Sequence, residues 1–330
     1  MMTLQIKSLT KFNTFWIRCH ELPTGLQQLK TRLHSLAAQP DVILGVLVLL
    51  LLTGCAGPSR PTQSLQIDSS LNAIAQRSRV DVIVVHYTYA SLPRSISLLT
   101  RSMVSSHYLV TDERPPRIYR LVDETQSAWH AGDSEWQGKT ALNARSIGIE
   151  IVHPGWEPNL EGRRGPGYSE DQVAVVATLI QDIAARHHVE PHNIVGHSDV
   201  APLRKQDPGP AFPWRALALQ GIGRWFDEDK AAAEQARLKQ SNLPDARWTQ
   251  LELRRIGYPI MVTGEWDKQT ESVLAAFQMH YRPEKVDAVL DAQTAAILKV
   301  MPTTGSATTP IAKDLPAHQK GTTSGAFSGQ

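Results

Sequence analysis

Five short apolar segments, each followed by polar residues, restrict this chain to a fold built around a buried sheet. VDVIVVHYT from Val80 and NIVGHSD are apolar through their centres and lead into His86 and His197. SIGIEIV, residues 146–152, alternates, so that its isoleucines face one way and Glu150 faces the other. SSHYLVTD and RIYRLVDE complete the set, with RPP between them as a turn. Short apolar runs bounded by polar residues predict strands.

One long segment, YSEDQVAVVATLIQDIAARHH, has the period of a helix. Ser169 lies three residues before Gln172, which is the spacing of a capping box. The apolar side chains fall at helical intervals, at positions 173, 176, 179, 180 and 183. Because strands and helices mix over residues 78–226, we predict an α/β domain with a central mixed sheet flanked by helices.

A second, smaller unit is predicted at residues 243–301. Its apolar periodicity indicates three helices, at about 244–256, 267–280 and 291–300. Asp267 and Asp291 are suited to cap the second and third helices. Residues 227–242 are predicted to be a solvated helical linker, and residues 302–330 a disordered tail without apolar periodicity. No internal repeat is evident.

The N-terminal region is predicted to carry a targeting signal. Val42–Leu52 is an uninterrupted apolar run of eleven residues, whereas a membrane-spanning helix needs about 20. The run leads into LTGC, so residues 1–54 resemble a bacterial lipoprotein signal peptide, with Cys55 lipidated and residues 55–77 as a tether. No aspartate follows Cys55, which under the sorting rule for such lipoproteins favours the outer membrane, facing the periplasm. The alternative is an ordinary signal anchor, and the leader before the run is unusually long.

Charge and cysteine content argue against several classes of protein. The formal net charge is +2, but the predicted signal peptide carries five basic and two acidic residues, which leaves −1 for the remainder. Such a near-neutral chain gives no reason to expect nucleic acid as a partner. Cys19 lies in the leader and Cys55 is assigned to lipid, so neither a disulfide nor a thiol nucleophile remains. The sequence has no G-x-S-x-G motif for a serine nucleophile either.

The segment HSDVAPLRKQDPGPAFPW, residues 197–214, contains four prolines among charged side chains. Prolines disfavour a regular helix and a central strand, so a rigid, irregular loop is predicted. His86, His197 and Asp207 together make two histidines and one carboxylate, a ligand pattern of catalytic zinc sites. Spacing alone is weak support, because a chain with 12 histidines contains such sets by chance.

Two charged residues would suit catalysis beside such a site. Glu150 lies between isoleucines, with Gly148 leaving space on its own face of the strand, and partial burial would raise its pKa toward that of a general base. Lys205 lies two residues before Asp207, where a fixed cation would stabilise a developing oxyanion. The alternatives are a solvent-facing glutamate and a solvated surface lysine.

Five separated motifs carry a family resemblance: HYT, SSHYLV, AWHAG, LNARSIGIEIVHPG and GHSDVAPLRKQDPGPAFPW. Their types and order resemble the zinc-dependent N-acetylmuramoyl-L-alanine amidases of the amidase-2 type, and most closely the outer-membrane lipoprotein members, from about Val80 to Trp225. The resemblance implies an amidase-2 or peptidoglycan-recognition-like fold. It also implies zinc-dependent hydrolysis of the amide between N-acetylmuramic acid and L-alanine in peptidoglycan or its fragments.

Site residues follow from the same resemblance by position. It implies three ligands for Zn2+, which are His86, His197 and Asp207. It implies Glu150 as the catalytic glutamate and Lys205 as the transition-state lysine, and it places Trp129, His130 and Asn143 at the substrate. The alternative is a non-catalytic peptidoglycan-recognition protein on the same fold, which could dispense with Asp207 and Glu150.

Residues 243–301 resemble the three-helix peptidoglycan-binding domain of cell-wall hydrolases, through GEWDKQT and AAFQ. The second turn, VDAVLDAQT, has Ala288 where glycine is usual, which leaves wall binding by this unit open. The expected partners are therefore peptidoglycan or muropeptides and, through Cys55, a membrane. We expect a monomer.

Overall fold

The computed structural model describes residues 65–156 and 166–302. The predicted signal peptide, Cys55 and all but the first residue of the predicted tail lie outside these ranges. The chain divides into two units, residues 1–72 and 73–330, and every helix and strand below belongs to the second. Among the described residues, no helix combines the length and apolarity needed to cross a bilayer.

A five-stranded sheet forms the centre of the fold, in the order β3-β2-β6-β1-β7. Its strands are β1 Val82–Tyr87, β2 Tyr108–Val110, β3 Ile118–Arg120, β6 Ser146–Ile151 and β7 Ile194–Gly196. β2 and β3 form the antiparallel hairpin expected around RPP, whereas the other pairings are parallel. The predicted mixed sheet is thus confirmed. A separate two-stranded ribbon joins β4 Glu135–Trp136 and β5 Lys139–Thr140.

Eight helices accompany the sheet in the described residues. They are α1 Leu92–Arg101, α2 Glu170–His187, α3 His197–Val200, α4 Trp214–Ala218, α5 Glu228–Leu238, α6 Ala246–Ile256, α7 Lys268–Tyr281 and α8 Ala292–Val300. Ser169 and Gln172 form the capping box predicted for α2. The proline-rich loop was expected to exclude regular helix, yet its first residues form the single turn α3, because the first proline comes only at Pro202.

The two faces of β1 enter different cores, as the period of a strand requires. Ile83 and Val85 pack with the isoleucines of β6 and with α2. Val82 and Val84 belong to a second core that extends to Leu274 and Phe277 on α7. One continuous apolar core therefore links the sheet to the C-terminal helices, so α6, α7 and α8 pack into the same unit as the sheet.

The predicted linker is helical but not solvated on all sides. Ala231 and Leu238 on α5 are buried, and Leu238 packs with Ala295 and Ala296 of α8. Alanine and leucine at this helical spacing give α5 one apolar face. The segment is therefore a packed part of the C-terminal unit on that face, and only its opposite face meets solvent.

A buried polar seam, formed by Asp199, Tyr258 and His280, also joins the sheet domain to the C-terminal helices. Asp199 on α3 is 1% exposed and accepts hydrogen bonds from three donors. These are the Tyr258 hydroxyl at 2.6 Å, Nδ1 of His280 at 2.8 Å and the backbone N–H of Gly196 at 2.7 Å. A buried carboxylate needs such partners, because an unpaired one would carry a large desolvation penalty. Tyr258 and His280 thus tie the C-terminal helices to α3.

The C-terminal unit contains a structural repeat that the sequence does not reveal. The side-chain amide of Gln250 accepts from the N–H of Gly264 and donates to Thr270, and Gln278 bonds in the same way to Ala288 and Thr294. Gly264 and Ala288 both have positive φ, +85° and +58°. Ala288 therefore takes the left-handed conformation that the usual glycine adopts freely, and the turn keeps its hydrogen bonds.

Candidate active site

His86, His197 and Asp207 converge on one buried point. Each comes from a different place: the end of β1, the first residue of α3, and the proline-rich loop beyond it. Nδ1 of His86 lies 2.9 Å from Nδ1 of His197 and 2.9 Å from Oδ2 of Asp207, and His197 Nδ1 lies 3.0 Å from the same oxygen. This group could hold a metal ion.

The tautomer of His197 is set by its outer nitrogen. Nε2 lies 3.1 Å from the backbone oxygen of Ala131. A carbonyl oxygen can only accept a hydrogen bond, so Nε2 carries the proton of the neutral ring. The Nδ1 lone pair then points at His86 and Asp207, as a metal ligand requires.

The tautomer of His86 is set by a longer chain of hydrogen bonds. The Ser146 hydroxyl donates to the carbonyl of Leu142 and therefore accepts from Nε2 of His130, 3.1 Å away. Nδ1 of His130 is then the acceptor for Nε2–H of His86, at 3.0 Å. His86 consequently presents the lone pair of Nδ1 to His197 and Asp207.

Charge favours a cation at this point. Burial, followed by the neighbouring His197, lowers the pKa of His86 to about 4, so the ring is neutral at physiological pH. Burial alone would raise the pKa of Asp207, but the two histidines hold it well below its ordinary value. Two imidazoles and a carboxylate match the donor set of zinc, whose tetrahedral ligands lie about 3.3 Å apart. The three residues therefore fit a zinc ion.

Glu150 lies beside this group, opposite His86 in the register of β1 and β6. Its Oε2 is inaccessible and has no hydrogen-bond partner among the described residues. Burial, and then the charge of Asp207, raises the pKa of Glu150 to about 8, while the charge of Lys205 opposes this shift. A dication bound between the histidines and Asp207 would lower this pKa again, because an opposite charge favours the carboxylate.

The space beside Glu150 is not open, contrary to the expectation for Gly148. A Cβ on Gly148 would come 2.5 Å from Cγ of His130, so the glycine makes room for that ring. The backbone N–H of Gly148 donates to Nδ1 of His107 at 3.0 Å. Gly148 thus lets His130 reach His86.

A cleft of about 630 Å³ opens onto this site. Lys205 and Asp207 line it, and so do three aromatic residues, Tyr87, Tyr89 and Trp156. Lys205 is half-buried, whereas the neighbouring Arg204 is held by the backbone oxygens of Ala131 and Asp133. Of these two cations, Lys205 is therefore the one positioned to act on a ligand in the cleft.

The residues expected at the substrate divide into two groups. The side chain of Trp129 is 53% exposed, so it can contact a ligand. The ring of His130 is instead buried behind His86, and Asn143 uses Oδ1 to accept from the backbone N–H groups of residues 130, 131 and 132. Their positions give both a scaffold role that the motif alone did not indicate.

Comparison with known proteins agrees with this architecture. A profile of the N-acetylmuramoyl-L-alanine amidase family matches residues 76–210, and a profile described as a peptidoglycan binding domain matches residues 242–298. N-acetylmuramoyl-L-alanine amidase AmiD of Escherichia coli K12 is 40% identical over 260 residues, which cover 76% of this chain and 94% of that protein.

Two solved structures are similar over nearly their whole lengths. E. coli AmiD, in complex with anhydro-N-acetylmuramic acid-L-Ala-D-γ-Glu-L-Lys, has a TM-score of 0.65 and 39% identity, covering 72% of this chain and 94% of that one. AmpDh3 of Pseudomonas aeruginosa, in complex with anhydromuramic pentapeptide, has a TM-score of 0.65 and 36% identity, covering 72% and 97%. With both of its folded parts matched and a buried site of the right donor types, the chain belongs to the N-acetylmuramoyl-L-alanine amidase family.

Proposed function

We propose that this chain is a zinc-dependent enzyme that hydrolyses the amide between the lactyl group of N-acetylmuramic acid and the L-alanine of a peptide stem. The convergence of His86, His197 and Asp207 at about 3 Å carries the proposal, because it supplies a zinc donor set beside an unpartnered carboxylate. The complexes of AmiD and AmpDh3 with anhydromuramic peptides support muropeptides as the substrate class.

The chemistry divides between the metal and two side chains. Zinc held by the three ligands would lower the pKa of a water molecule to about 7 and polarise the substrate carbonyl. Glu150 removes the proton of the attacking water and returns it to the amine as the C–N bond breaks. Lys205 stabilises the negative charge that develops on the carbonyl oxygen. The products are a free lactyl carboxylate and a peptide with a free L-alanine amine.

A non-catalytic recognition protein on this fold is the competing function. Such a protein has no use for a raised-pKa carboxylate beside a metal-binding group. Here Glu150 is held opposite His86 with a buried oxygen that has no hydrogen-bond partner among the described residues. This arrangement costs stability, and such groups are typical of functional sites. The geometry therefore favours the enzyme.

Digestion of purified sacculi and of anhydromuramyl tripeptide, with the products identified by mass, tests the function. We expect release of peptides that begin with L-alanine and gain of one water across the scissile bond. The same protein boiled before digestion is the control. Products cleaved within the glycan or between stem residues, with the muramyl amide intact, would contradict the assignment.

The location of the protein is a separate proposal, which rests on the lipobox-like LTGC and Cys55. Cys55→Ala should shift the protein from the outer-membrane fraction to the soluble periplasmic fraction, because stable anchoring needs the acyl chains that this residue would carry. Immunoblots of separated membranes measure the shift, and Cys19→Ala in the predicted leader is the matched control. Unchanged membrane association of the Cys55 variant would indicate a signal anchor.

A further inference from the structure

One face of α7 forms a wall of the catalytic cleft. The cleft that Lys205 and Asp207 line is also lined by residues 268, 271, 272, 275 and 279 of α7. These positions recur at intervals of three and four, so they lie along one face of the helix. The remaining face carries Leu274 and Phe277 into the apolar core. The C-terminal unit therefore takes part in shaping the space that a substrate enters.

This wall is fixed relative to the candidate zinc ligands. His280 of α7 and Tyr258 hold Asp199, which lies two residues after His197 within the single turn α3. The seam is almost fully buried, so its charge-assisted hydrogen bonds are protected from competition by water. The distance between the wall and the reacting centre is thus set by the fold itself.

The wall carries two charges of opposite sign. Nζ of Lys268 lies 3.5 Å from Oε2 of Glu271, and the two side chains are 88% and 49% exposed. An exposed pair of this kind contributes little to stability, about 0–1 kcal/mol. Each side chain can therefore leave the ion pair and bind a charged ligand at a small cost in free energy.

Only one part of a muropeptide can match these charges. The lactyl carboxyl of the sugar is consumed in the scissile amide, so the sugar moiety is uncharged. The stem beyond L-alanine is charged, because a γ-linked glutamate keeps its α-carboxylate and a following diamino acid brings an ammonium group and a terminal carboxylate. A charged wall therefore complements the peptide, not the sugar.

We propose that α7 is the subsite for the peptide stem, with Lys268 binding a carboxylate and Glu271 the amino group of residues beyond L-alanine. The proposal rests on the proposed function, since it assigns the direction in which the substrate of that reaction lies. It gives the C-terminal unit a part in substrate selection that does not depend on binding the intact bacterial cell wall.

The test compares two substrates, N-acetylmuramoyl-L-alanine and N-acetylmuramoyl-L-Ala-D-γ-Glu-L-Lys, using the full-length protein. In Lys268→Gln and Glu271→Gln, the ratio of kcat/KM for the tripeptide substrate to that for the alanine substrate should fall about two- to fivefold, as expected for losing an exposed charge contact. The change should appear in KM. Lys285→Gln is the matched control, since Lys285 is another exposed lysine of the same unit that pairs with an aspartate, Asp287, and neither of these residues lines the cleft.

A double variant, Lys268→Glu with Glu271→Lys, separates recognition from local structure. It restores an ion pair across one helical turn but exchanges the positions of the two charges. The ratio of the two kcat/KM values should therefore stay low if each charge of the stem binds at one fixed position on α7. A ratio restored to the wild-type value, or unchanged in the single variants while the wild type is active, would overturn the subsite. A wild-type protein inactive on both substrates would overturn the proposed function instead.

Discussion

Glu150→Gln should lower kcat for muropeptide hydrolysis by about 10²–10⁴-fold while zinc remains bound. Glutamine keeps the size of the side chain but cannot take the proton of the attacking water, and general acid–base catalysis supplies a factor of this order. The three candidate ligands are untouched, because Glu150 makes no hydrogen bond to them and its Oε2 has no partner among the described residues. The measurement is steady-state turnover together with the zinc content of the purified variant.

Glu135→Gln provides the control for this substitution. Glu135 is a half-buried strand glutamate on β4 and does not line the catalytic cleft. Its replacement should leave kcat unchanged. Turnover of the Glu150 variant within tenfold of wild type would remove Glu150 from the proton-transfer role, and zinc lost together with activity would make it a residue that only positions the metal.

Removal of zinc should abolish hydrolysis, and zinc should restore it more effectively than magnesium. Nitrogen donors from two histidines favour zinc over hard cations that prefer six oxygen ligands. Asp207→Asn should also weaken zinc binding, because it removes the negative charge of a ligand. Loss of a residue that only hydrogen-bonds to a metal ligand typically weakens metal binding about 10–100-fold, and the loss here should be larger. Competition with a chromogenic chelator measures the dissociation constant, and turnover is measured in parallel.

His188→Asn is the control for the metal site. His188 is exposed at the end of α2 and adopts a left-handed conformation, which asparagine tolerates. It should bind zinc and turn over as wild type does. Full activity after exhaustive chelation, or an Asp207→Asn variant with unaltered zinc affinity, would contradict the zinc mechanism.

Local patterns in the sequence predict most of the secondary structure. The alternation in SIGIEIV correctly places the three isoleucines of β6 together in one apolar core, and Ser169 with Gln172 correctly gives the start of α2. Such features depend on near neighbours in the chain, so the sequence shows them directly. The motif resemblance also selected His86, His197 and Asp207, and Nδ1 of His86 lies 2.9 Å from atoms of the other two although they follow it by 111 and 121 residues.

The surroundings of these residues could not be predicted in the same way. The family motif predicts His130 at the substrate. In the fold, its ring instead occupies the space that the missing side chain of Gly148 leaves behind His86. There the hydroxyl of Ser146, which donates to the carbonyl of Leu142, fixes the tautomer of His130. A hydrogen-bond chain of this kind depends on side chains from separate elements, and no period or motif encodes it. Only the packed structure brings these side chains together.

The sequence by itself determined the kinds of residue that do the chemistry and the strands and loop that carry them, because motifs and apolar periodicity are properties of short segments. Tertiary structure decided how those residues are held and what faces them. Asp199 meets Tyr258 and His280 across 59 and 81 residues of chain, and α7 thereby becomes a wall of the cleft. Contacts over such separations form only when the buried core brings the C-terminal helices against the sheet, since burial of apolar surface sets their position.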